Sequence, residues 1–597
     1  MSVVTPARQA QPLYRSTSAI SVLRGEDLRR IGVTSIPNAL RLVPGMHVAQ
    51  QNGRTWAIST RGFNLVGANK LEVVFDGRSV YTPFFSGTFW DVQETFLPDI
   101  EQIEVVRGPG GTLWGANAVN GVIHIQTKSA RDTVGGLLLA GAGTRENGFA
   151  GLRHGWRIGR QSYARVYGRY FHRDWLLLAD GEPGQADREF LQGGFRTDSY
   201  PGDALHLTTQ GNIYSDEFGF EDRPPTSTGV VGGNLLARLR RQKNDGATLE
   251  VQAYWDHTER LIPGIFDEKR DTAELSFLLA HRLGERHSLL WGMQARGSWD
   301  VSGNIGRNIL LPAEKTLWLF GAFIQDQITL VPERLIVALG SKIEHHTYTD
   351  FEFQPNVRIA WHPAPQTTLW AAAARAVRTP VRIDRDLVSP ATGTPVFRGT
   401  DAFESEILLG YQVGLRKEFW SRLALDLSAY INRYHDLRSS ERTAGPETPV
   451  TFKNGFEATT YGMEIAGDIV LDDAVRLNVG YAYVHRRVGL EAGAVPLDAP
   501  SSLGNDPRHM GFARLSADIG QSIEIDCVLR GAGSLPVPEV PGYVTVDLRM
   551  AWRITPTLEG SVVGRDLTAG QHPEFGANNP RREEIPRSVY VQVQWRF

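Results

Sequence analysis

Residues 100–127 read IEQIEVVRGPGGTLWGANAVNGVIHIQT, and this stretch decides the fold of the chain. Its two apolar runs, Ile103–Val106 and Val122–Thr127, predict short strands on either side of a glycine-rich segment. That segment, Gly108–Gly111, superficially matches a phosphate-binding loop. No Gly-Lys-Ser/Thr sequence follows it, so nucleotide binding has little support, and we interpret the segment as a tight turn.

The residues before this stretch predict further short strands. Apolar runs at Trp56–Thr60 and Leu71–Phe75 are typical of strands, and Asp76-Gly77 after the second run is a hairpin-turn signal. Residues 1–15 are polar and contain proline, so we expect an extended, flexible tail there. Together with two short helices, these strands predict a small α/β unit that ends near residues 128–131.

Two short helices are predicted in the same unit. The first covers Glu26–Ile31, and the second covers Ile36–Val43. Ser35 is the expected N-cap of the second helix, and Pro44-Gly45 is its expected stop.

After this unit the sequence changes to strands with a period of two. Apolar residues alternate with polar ones over Leu423–Ile431 and again over Val544–Trp552. One face is apolar with aromatic ends, and the other face carries charge. A soluble sandwich also alternates, but its apolar face points inward and its charges meet water outside. The last strand, Val589–Phe597, has the same pattern and favours a membrane barrel.

The composition excludes several classes of protein. Hydrophobic residues make up 41% of the 597, mean hydropathy is −0.25, and no stretch approaches the ~20 apolar residues of a membrane helix. A helical membrane protein is therefore excluded, whereas a barrel is not, because its alternating strands average to neutral. The net charge of −3 gives no reason to expect nucleic acid as a partner. The one cysteine, Cys527, permits neither an internal disulfide nor a cysteine metal cluster.

Several blocks of the sequence, in order, resemble the TonB-dependent outer-membrane receptor family. In the first part of the chain the matching blocks are Leu40–Met46, Ser59–Phe63, Val74–Gly77 and residues 100–127. Later in the chain they are Glu344, Gln354-Pro355, Arg375–Pro380, Tyr461–Glu464 and Trp595–Phe597. The resemblance implies an all-β fold: a 22-stranded antiparallel transmembrane β-barrel with an N-terminal α/β plug domain inside the lumen.

The resemblance also implies three domains. Residues 1–15 are expected to be the TonB box and a flexible tail, residues 16–130 the plug, and residues 131–597 the barrel. Divided over about 22 strands, the barrel region has about 21 residues per strand and connection, which suits spanning strands of ~9–11 residues. About sixteen strands fit the same arithmetic, and only the plug favours the larger, blocked barrel.

A receptor of this family imports a scarce nutrient with energy relayed from the inner membrane by the periplasmic protein TonB. The resemblance implies an iron–siderophore complex as the commonest cargo. Cobalamin or another bulky organic ligand is the alternative, and a passive porin or adhesin is a distant one. The implied location is the outer membrane of a Gram-negative bacterium, although this sequence begins without an apolar signal segment.

The expected partners are TonB, outer-membrane lipid and a metal chelate or similar small molecule. Colicins or phages can also use receptors of this kind, and a monomer is expected. Nothing in the sequence assembles a nucleophile–base pair or a metal–water site, so we expect no enzyme, cofactor or resident metal. A typical haem-receptor loop motif is missing, which disfavours haem. A signal-transducing receptor would need a further periplasmic domain ahead of the coupling segment, so transport alone is favoured.

The resemblance assigns the first site residues to energy coupling and to plug–barrel contact. Val3, Val4 and Thr5 resemble the TonB box, an extended segment that can add a strand to the edge of a partner's sheet. Arg61 and Arg107 end two plug strands and are expected to contact the barrel carboxylate Glu464.

One position departs from the family pattern. Gln412 stands where the family often has Glu, which puts a second wall carboxylate in doubt. Glu404 or Glu406 is a candidate substitute.

The outward loops of the plug are the expected ligand contacts. The candidates there are Asn52, Arg54, Trp56, Tyr81, Phe84, Phe85, Phe89 and Trp90. Such an aromatic cluster is either a buried core or an exposed platform with large contact area. His572 and Glu574 are added from the expected last outer loop, while His345-His346 lacks a third metal-ligand partner. Phe597, an aromatic residue after an amphipathic strand, resembles the assembly signal of outer-membrane barrels.

Overall fold

The protein is described by a computed structural model. It describes residues 2–184, 186–219, 228–243, 246–262, 266–303, 308–390, 396–420, 422–442 and 448–597. In these ranges no helix has both the length and the apolar character needed to cross a membrane.

In the described part of the chain, 22 long antiparallel strands close into a barrel, as predicted. Numbered β1 to β22 in chain order, they are Gly135–Gly143, Glu146–Ile158, Ser162–Arg173, Arg188–Ser199, Leu205–Phe218, Gly229–Gln242, Thr248–Ile262, Phe266–Leu283, His287–Ser302, Glu314–Val331, Leu335–His346, Thr349–Ala364, Thr367–Arg378, Glu406–Phe419, Leu423–Arg442, Val450–Asp472, Val475–Leu490, His509–Ile519, Ile523–Ala532, Tyr543–Arg553, Leu558–Arg565 and Ser588–Arg596. The first strand pairs with the last, from Leu137 opposite Arg596 to Gly143 opposite Tyr590, so the sheet has no open edge.

The predicted alternation separates the two faces of the wall. On β20, Val544, Met550 and Trp552 are 63%, 54% and 56% exposed on the outside. Thr545 and Arg549 between them are buried against the lumen. An apolar exterior is what a strand needs where it contacts lipid, and the polar interior here is filled rather than open.

The connections differ at the two ends of the barrel. Short turns such as residues 284–286 join strands at one end, and long segments such as residues 379–405 join them at the other. In outer-membrane barrels the short turns face the periplasm and the long loops face outward. The loops contain the helix Arg382–Asp386, the 3₁₀ turn Pro500–Leu503 and the short strands Leu177–Leu178, Ile309–Leu310, Leu387–Ser389, Phe397–Arg398, Leu535–Pro536, Glu539–Val540, Gln571–His572 and Glu583–Pro586.

The plug lies inside this barrel and is built on one mixed sheet. The order of its strands is Ala19–Arg24, Ile100–Arg107, Gly121–Thr127, Leu71–Phe75 and Arg78–Ser79. Its other elements are the helices Gly25–Ile31, Ile36–Leu40 and Gly111–Trp114, the hairpins Met46–Gln50 with Trp56–Thr60 and Tyr81–Thr82 with Gly87–Thr88, and the 3₁₀ turns Leu13–Arg15, Leu97–Asp99 and Arg131–Thr133. Leu28, Val73 and Ile123 are among the residues of its apolar core.

The local predictions in the plug hold with two differences. Asp76 and Gly77 form the expected hairpin turn with φ of 48° and 90°, the left-handed values that such a turn requires. The second helix ends at Leu40 instead of Val43, because the next amides bond three residues back in single turns. Ser35 precedes this helix but makes no capping hydrogen bond with its side chain.

The expectation of a free tail over residues 1–15 is wrong for the described residues 2–15. Ser2–Val3 pairs with Gln11–Pro12 in a small antiparallel ladder. Val3 is buried against Ile20 and Val106 of the plug sheet. Burying an apolar side chain of this size contributes about 1.5–3 kcal/mol, which favours the packed position over a solvated one.

Candidate functional site

The plug is held in the barrel by a buried carboxylate between two arginines. Glu464 on β16 accepts hydrogen bonds from Arg61, with Nε at 3.0 Å from Oε1 and Nη2 at 3.3 Å from Oε2. The Nε of Arg107 lies 3.2 Å from Oε2 of the same carboxylate. Ser428 donates to that oxygen at 2.9 Å, so the charge is well solvated by the protein. The structure thus brings together the three residues that the sequence assigned to this contact.

Gln412 itself makes a contact with Arg61 in place of the glutamate that the family often has. Its Oε1 accepts a hydrogen bond of 2.8 Å from Nη1 of Arg61, so an amide stands in for the expected carboxylate. Glu406 has other partners, the buried Lys70 and Arg378, and Glu404 is exposed. Neither glutamate therefore replaces the missing acid beside Arg61.

A second ionic contact involves a residue that the sequence assigned to ligand binding. Glu574 accepts both terminal nitrogens of the plug residue Arg41, at 2.6 and 2.7 Å, and the amide of Gln50 at 2.9 Å. Although burial alone would raise the pKa of Glu574, Arg41 holds it well below its usual range. His572 is buried 3.5 Å from Glu574 and packs on Tyr543. In this conformation buried partners occupy both His572 and Glu574, and their assignment to ligand contact stays a prediction.

Sequence reasoning missed most of the remaining ionic contacts around the plug. They include Arg29 with Glu524 at 2.8 Å and with Glu559 at 2.7 Å, Arg30 with Asp526 at 3.1 Å, Asp91 with Arg260 at 2.6 Å, and Asp99 with Arg153 at 2.9 Å. The signal for them was the charge on the inward face of strands such as β20. That signal shows that a polar surface faces the plug, but it does not give the partners. A polar interface suits a plug that must move, because water can replace its contacts when they part.

The segment assigned to energy coupling is fastened to the plug sheet. The amides of Val4 and Thr5 donate to the carboxylate of Glu104 at 3.0 and 2.7 Å. Thr5 also contacts Nδ1 of His124 through its hydroxyl at 3.1 Å and accepts from the indole of Trp114 at 3.0 Å. Burial lowers the pKa of His124 to about 3, so the ring is neutral and its Nδ1 can accept.

Two of the predicted ligand residues line a pocket that opens between the outer loops. Asn52 and Arg54 form its plug side, and Phe575, Arg581 and Arg582 are among the loop residues that complete it. The side-chain oxygen of Asn52 accepts the amides of Arg54 and Thr55 at 3.0 and 2.8 Å and fixes the loop. Arg54 lies over the ring of Phe218 at 4.0 Å; burial lowers its pKa to about 10, which leaves it charged at neutral pH.

The aromatic residues divide between the two alternatives that the sequence left open. Trp56 and Trp90 are buried in the plug core in this conformation, and their assignment to ligand contact stays a prediction. Their indoles fill the space between the sheet and the helices, where burial of a large ring contributes most.

The other aromatic residues of the second loop lie between the core and the wall. Phe84 and Phe89 pack against an apolar cluster on the wall, and the ring of Phe85 lies 4.8 Å from that of Phe89. Tyr81 lines an inner cavity between plug and wall. None of them forms an open platform in this conformation of the described chain.

One group in the described ranges has the geometry to hold a metal ion. His435, Glu457 and Glu491 place their ligand atoms within 4.8 Å of one another. Nδ1 of His435 already lies 3.5 Å from Glu491, and the group is partly exposed, so an ordinary polar contact accounts for it.

A plugged outer-membrane barrel with an ordered N-terminal segment defines a class of gated receptors, and comparison with known proteins agrees. Residues 129–570 match the family model of the TonB-dependent receptor-like β-barrel, and residues 12–122 match that of the TonB-dependent receptor plug domain. The chain belongs to the TonB-dependent receptor family and is an outer-membrane protein. Proteins of this family are transporters and receptors rather than enzymes.

Known proteins resemble this chain over its whole length or over part of it. An iron-regulated outer membrane virulence protein of Vibrio cholerae serotype O1 is 26% identical over 93% of this chain and 89% of its own length. The vitamin B12 transporter BtuB of Vibrio vulnificus is 32% identical, but over only 24% of this chain and 23% of its own. A ferric enterobactin receptor (PfeA) mutant from Pseudomonas aeruginosa has the same fold, with a TM-score of 0.80 and 15% identity. The match covers 97% of this chain and 98% of the PfeA chain. The siderophore receptor PirA from Acinetobacter baumannii matches with a TM-score of 0.80 and 14% identity, over 97% of this chain and 98% of its own.

Proposed function

We propose that this receptor imports a ferric siderophore, and that the outward pocket at Asn52 and Arg54 is where the chelate binds. The observation that carries the proposal is the chemistry of this pocket, where the ring of Phe575 lies among three arginines and one acid: Arg54, Arg581, Arg582 and Glu583. Ferric complexes of catecholate siderophores are anionic and aromatic, so they suit charge attraction and stacking in one site. The iron regulation named for the Vibrio cholerae relative supports iron as the element transported.

Cobalamin is the weaker alternative. The match to the vitamin B12 transporter covers about a quarter of the chain. Cobalamin carries little net charge and gives no reason for three arginines in the pocket. A passive porin is disfavoured by the buried ionic contacts that fix the plug, such as Glu464 with Arg61.

A binding measurement separates these alternatives. The purified receptor in detergent is titrated with a ferric tricatecholate, a ferric trihydroxamate and cyanocobalamin. We expect the tricatecholate to bind most tightly, and Arg54→Ala with Arg581→Ala to weaken it severalfold. Arg160→Ala, an exposed arginine on a periplasmic turn, is the matched control and leaves binding unchanged. Tighter binding of cyanocobalamin, or equal effects of the control, contradicts the proposal.

The second part of the proposal concerns energy. We propose that TonB pairs with Val3, Val4 and Thr5 after these residues leave the plug sheet. An extended segment offers its main-chain groups for strand addition, and Val4→Pro removes one donor. Energy-dependent uptake of the iron-55 chelate should be lost in Val4→Pro cells while chelate binding to the cells persists. Normal uptake in this variant contradicts the assignment.

A further inference from the structure

The plug is not fastened evenly around the wall. Hydrogen bonds join it to β8 through Arg270 and Thr82, and to β11 through Glu344 and the amide of Ala116. Among the hydrogen bonds and ion pairs of the described residues, none joins the plug to β9 or β10, which lie between those strands. Single strands such as β17 and β20 also lack such a bond among the described residues, but β9 and β10 are neighbours, so the gap in polar attachment is two strands wide here.

Two cavities lie along the same pair of strands. The outer one extends along the wall from Gln192 of β4 to His346 of β11, and it includes Ser298 of β9, Leu319 of β10 and Tyr81 of the plug. The periplasmic one is lined by Ser288 of β9 and Gln325 of β10, together with residues of the N-terminal segment. Each cavity is lined by three arginines and two acidic residues: Arg78, Arg270 and Arg296 with Glu94 and Asp256 in the outer one, and Arg15, Arg282 and Arg286 with Glu285 and Glu333 in the periplasmic one. The two ends of this stretch of wall therefore share a small excess of positive charge.

An apolar contact separates the two cavities. Leu113 of the plug packs against Leu290 of β9 and Phe323 of β10, and Trp114 packs beside it. The guanidinium group of Arg8 covers this contact, 4.7 Å from the ring of Trp114 and 5.6 Å from that of Phe323. Apolar side chains exclude water from this contact, so it acts as a barrier between the two cavities for as long as its cover stays in place.

We infer that the cargo crosses the receptor along β9 and β10, and that Leu113, Trp114 and Arg8 form the gate that closes this route. The inference rests on the proposed function, because it takes the cargo to be an anion that arginines attract. It also assigns a mechanical role to the N-terminal segment. Trp114 donates to the carbonyl of Thr5 at 3.0 Å, and Arg8 donates to that of Leu113 at 3.2 Å. Withdrawal of residues 3–8 therefore removes both bonds from the gate in one movement.

The first test measures leakage and needs neither TonB nor a cargo. Receptors reconstituted into liposomes are assayed for entry of glucose. Trp114→Ala should leak severalfold faster than the unchanged receptor. Phe323→Ala is a second variant of the same contact, to be used if Trp114→Ala folds poorly, and it should leak in the same way. The control is Phe512→Ala, which removes an aromatic ring that packs on the plug from β18, away from the route. No leak from either gate variant, or an equal leak from the control, overturns the inference.

The second test locates the leak. The background is the double variant Trp114→Ala with Cys527→Ser, which has no cysteine. A single cysteine is then placed at Ser298 or Gln325 on the route, or at Thr545 or Ser561 on the opposite wall. Reaction with a bulky maleimide should block the leak only at Ser298 and Gln325. Block at Thr545 or Ser561 instead overturns the route. A failure of the siderophore proposal would appear separately, as absence of chelate binding with the leak unchanged.

Discussion

Arg41 of the plug and Glu574 of the last outer loop form a bidentate ion pair, in which Nη1 lies 2.6 Å from Oε1 and Nη2 lies 2.7 Å from Oε2. The partners are 533 residues apart in sequence, and both side chains are buried. The same carboxylate accepts the amide of Gln50, which ends a plug strand beside the proposed chelate pocket. The pair therefore links an outer loop directly to the plug strand that supports Asn52.

The first prediction concerns this link. Glu574→Ala leaves Arg41 buried without its counter-charge and should weaken the seating of the plug by about 3–5 kcal/mol. Arg41→Ala should cost less, because Glu574 keeps Arg530 at 3.4 Å, and the double variant should cost clearly less than the sum of the two. Hydrogen exchange at Met46–Gln50 measures the effect, as faster exchange in each single variant.

The control is an exposed ion pair on the barrel. Lys269 and Glu259 are both about half exposed and screened by solvent, so Glu259→Ala should leave stability nearly unchanged. If the losses for Arg41→Ala and Glu574→Ala simply add, the two residues do not act as a pair.

The plug strands and the turn at Asp76-Gly77 could be predicted because their signals are local. The same holds for the wall, where alternation along β20 is enough to separate the lipid face from the lumen. Pairs such as Arg41 with Glu574 could not be predicted. Which wall residue meets which plug residue depends on the closure of the barrel and the rotation of the plug within it, and neither leaves a mark on nearby sequence.

The packed positions of the aromatic residues and of the N-terminal segment were not predicted, for different reasons. A cluster with Trp56 and Trp90 has the same composition in a core and in an exposed platform, so sequence alone left both open. For the N-terminal segment a signal was present but not used. Glu104 and His124 interrupt apolar strands, and polar residues in such places need a buried partner, which Thr5 supplies.

The second prediction concerns the pH dependence of chelate binding. Glu583 lines the proposed pocket with Arg54, and burial raises the pKa of Glu583 to about 7. A bound anion favours the protonated form, so binding should take up a proton, and affinity should fall as pH rises through about 7. The change is at most about tenfold per pH unit for one proton.

Glu583→Gln provides the control for this prediction. The amide keeps an acceptor for the amide of Gly53, which Glu583 accepts at 3.2 Å, but it has no charge to titrate. Affinity in this variant should stay near the low-pH value from pH 6 to pH 8. Titration of the chelate itself affects both proteins, so only the difference between them is read. Parallel profiles would show that Glu583 does not control binding.

The third prediction concerns the seat of the coupling segment. Glu104→Gln weakens the charge-assisted bonds from Val4 and Thr5 and should release residues 3–5 from the sheet. A spin label at Val4→Cys, with Cys527→Ser as background, should become more mobile in this variant without ligand. Glu101→Gln, an exposed position on the same strand, is the matched control. A label that is already mobile beside Glu104 contradicts the packed position of the segment.

The fourth prediction concerns Phe597. Its ring is 55% exposed on the lipid face and lies 4.7 Å from that of Trp595, while its backbone pairs with Gly136. Phe597→Ala keeps the backbone bonds and exposes little new surface to water, so the refolded protein should lose little stability. In cells, however, the fraction of barrel that migrates as folded protein on unheated gels should fall, if the ring is the assembly signal. Trp595→Ala, two residues earlier on the same face, is the control, and equal losses in the two variants would show that no special role belongs to Phe597.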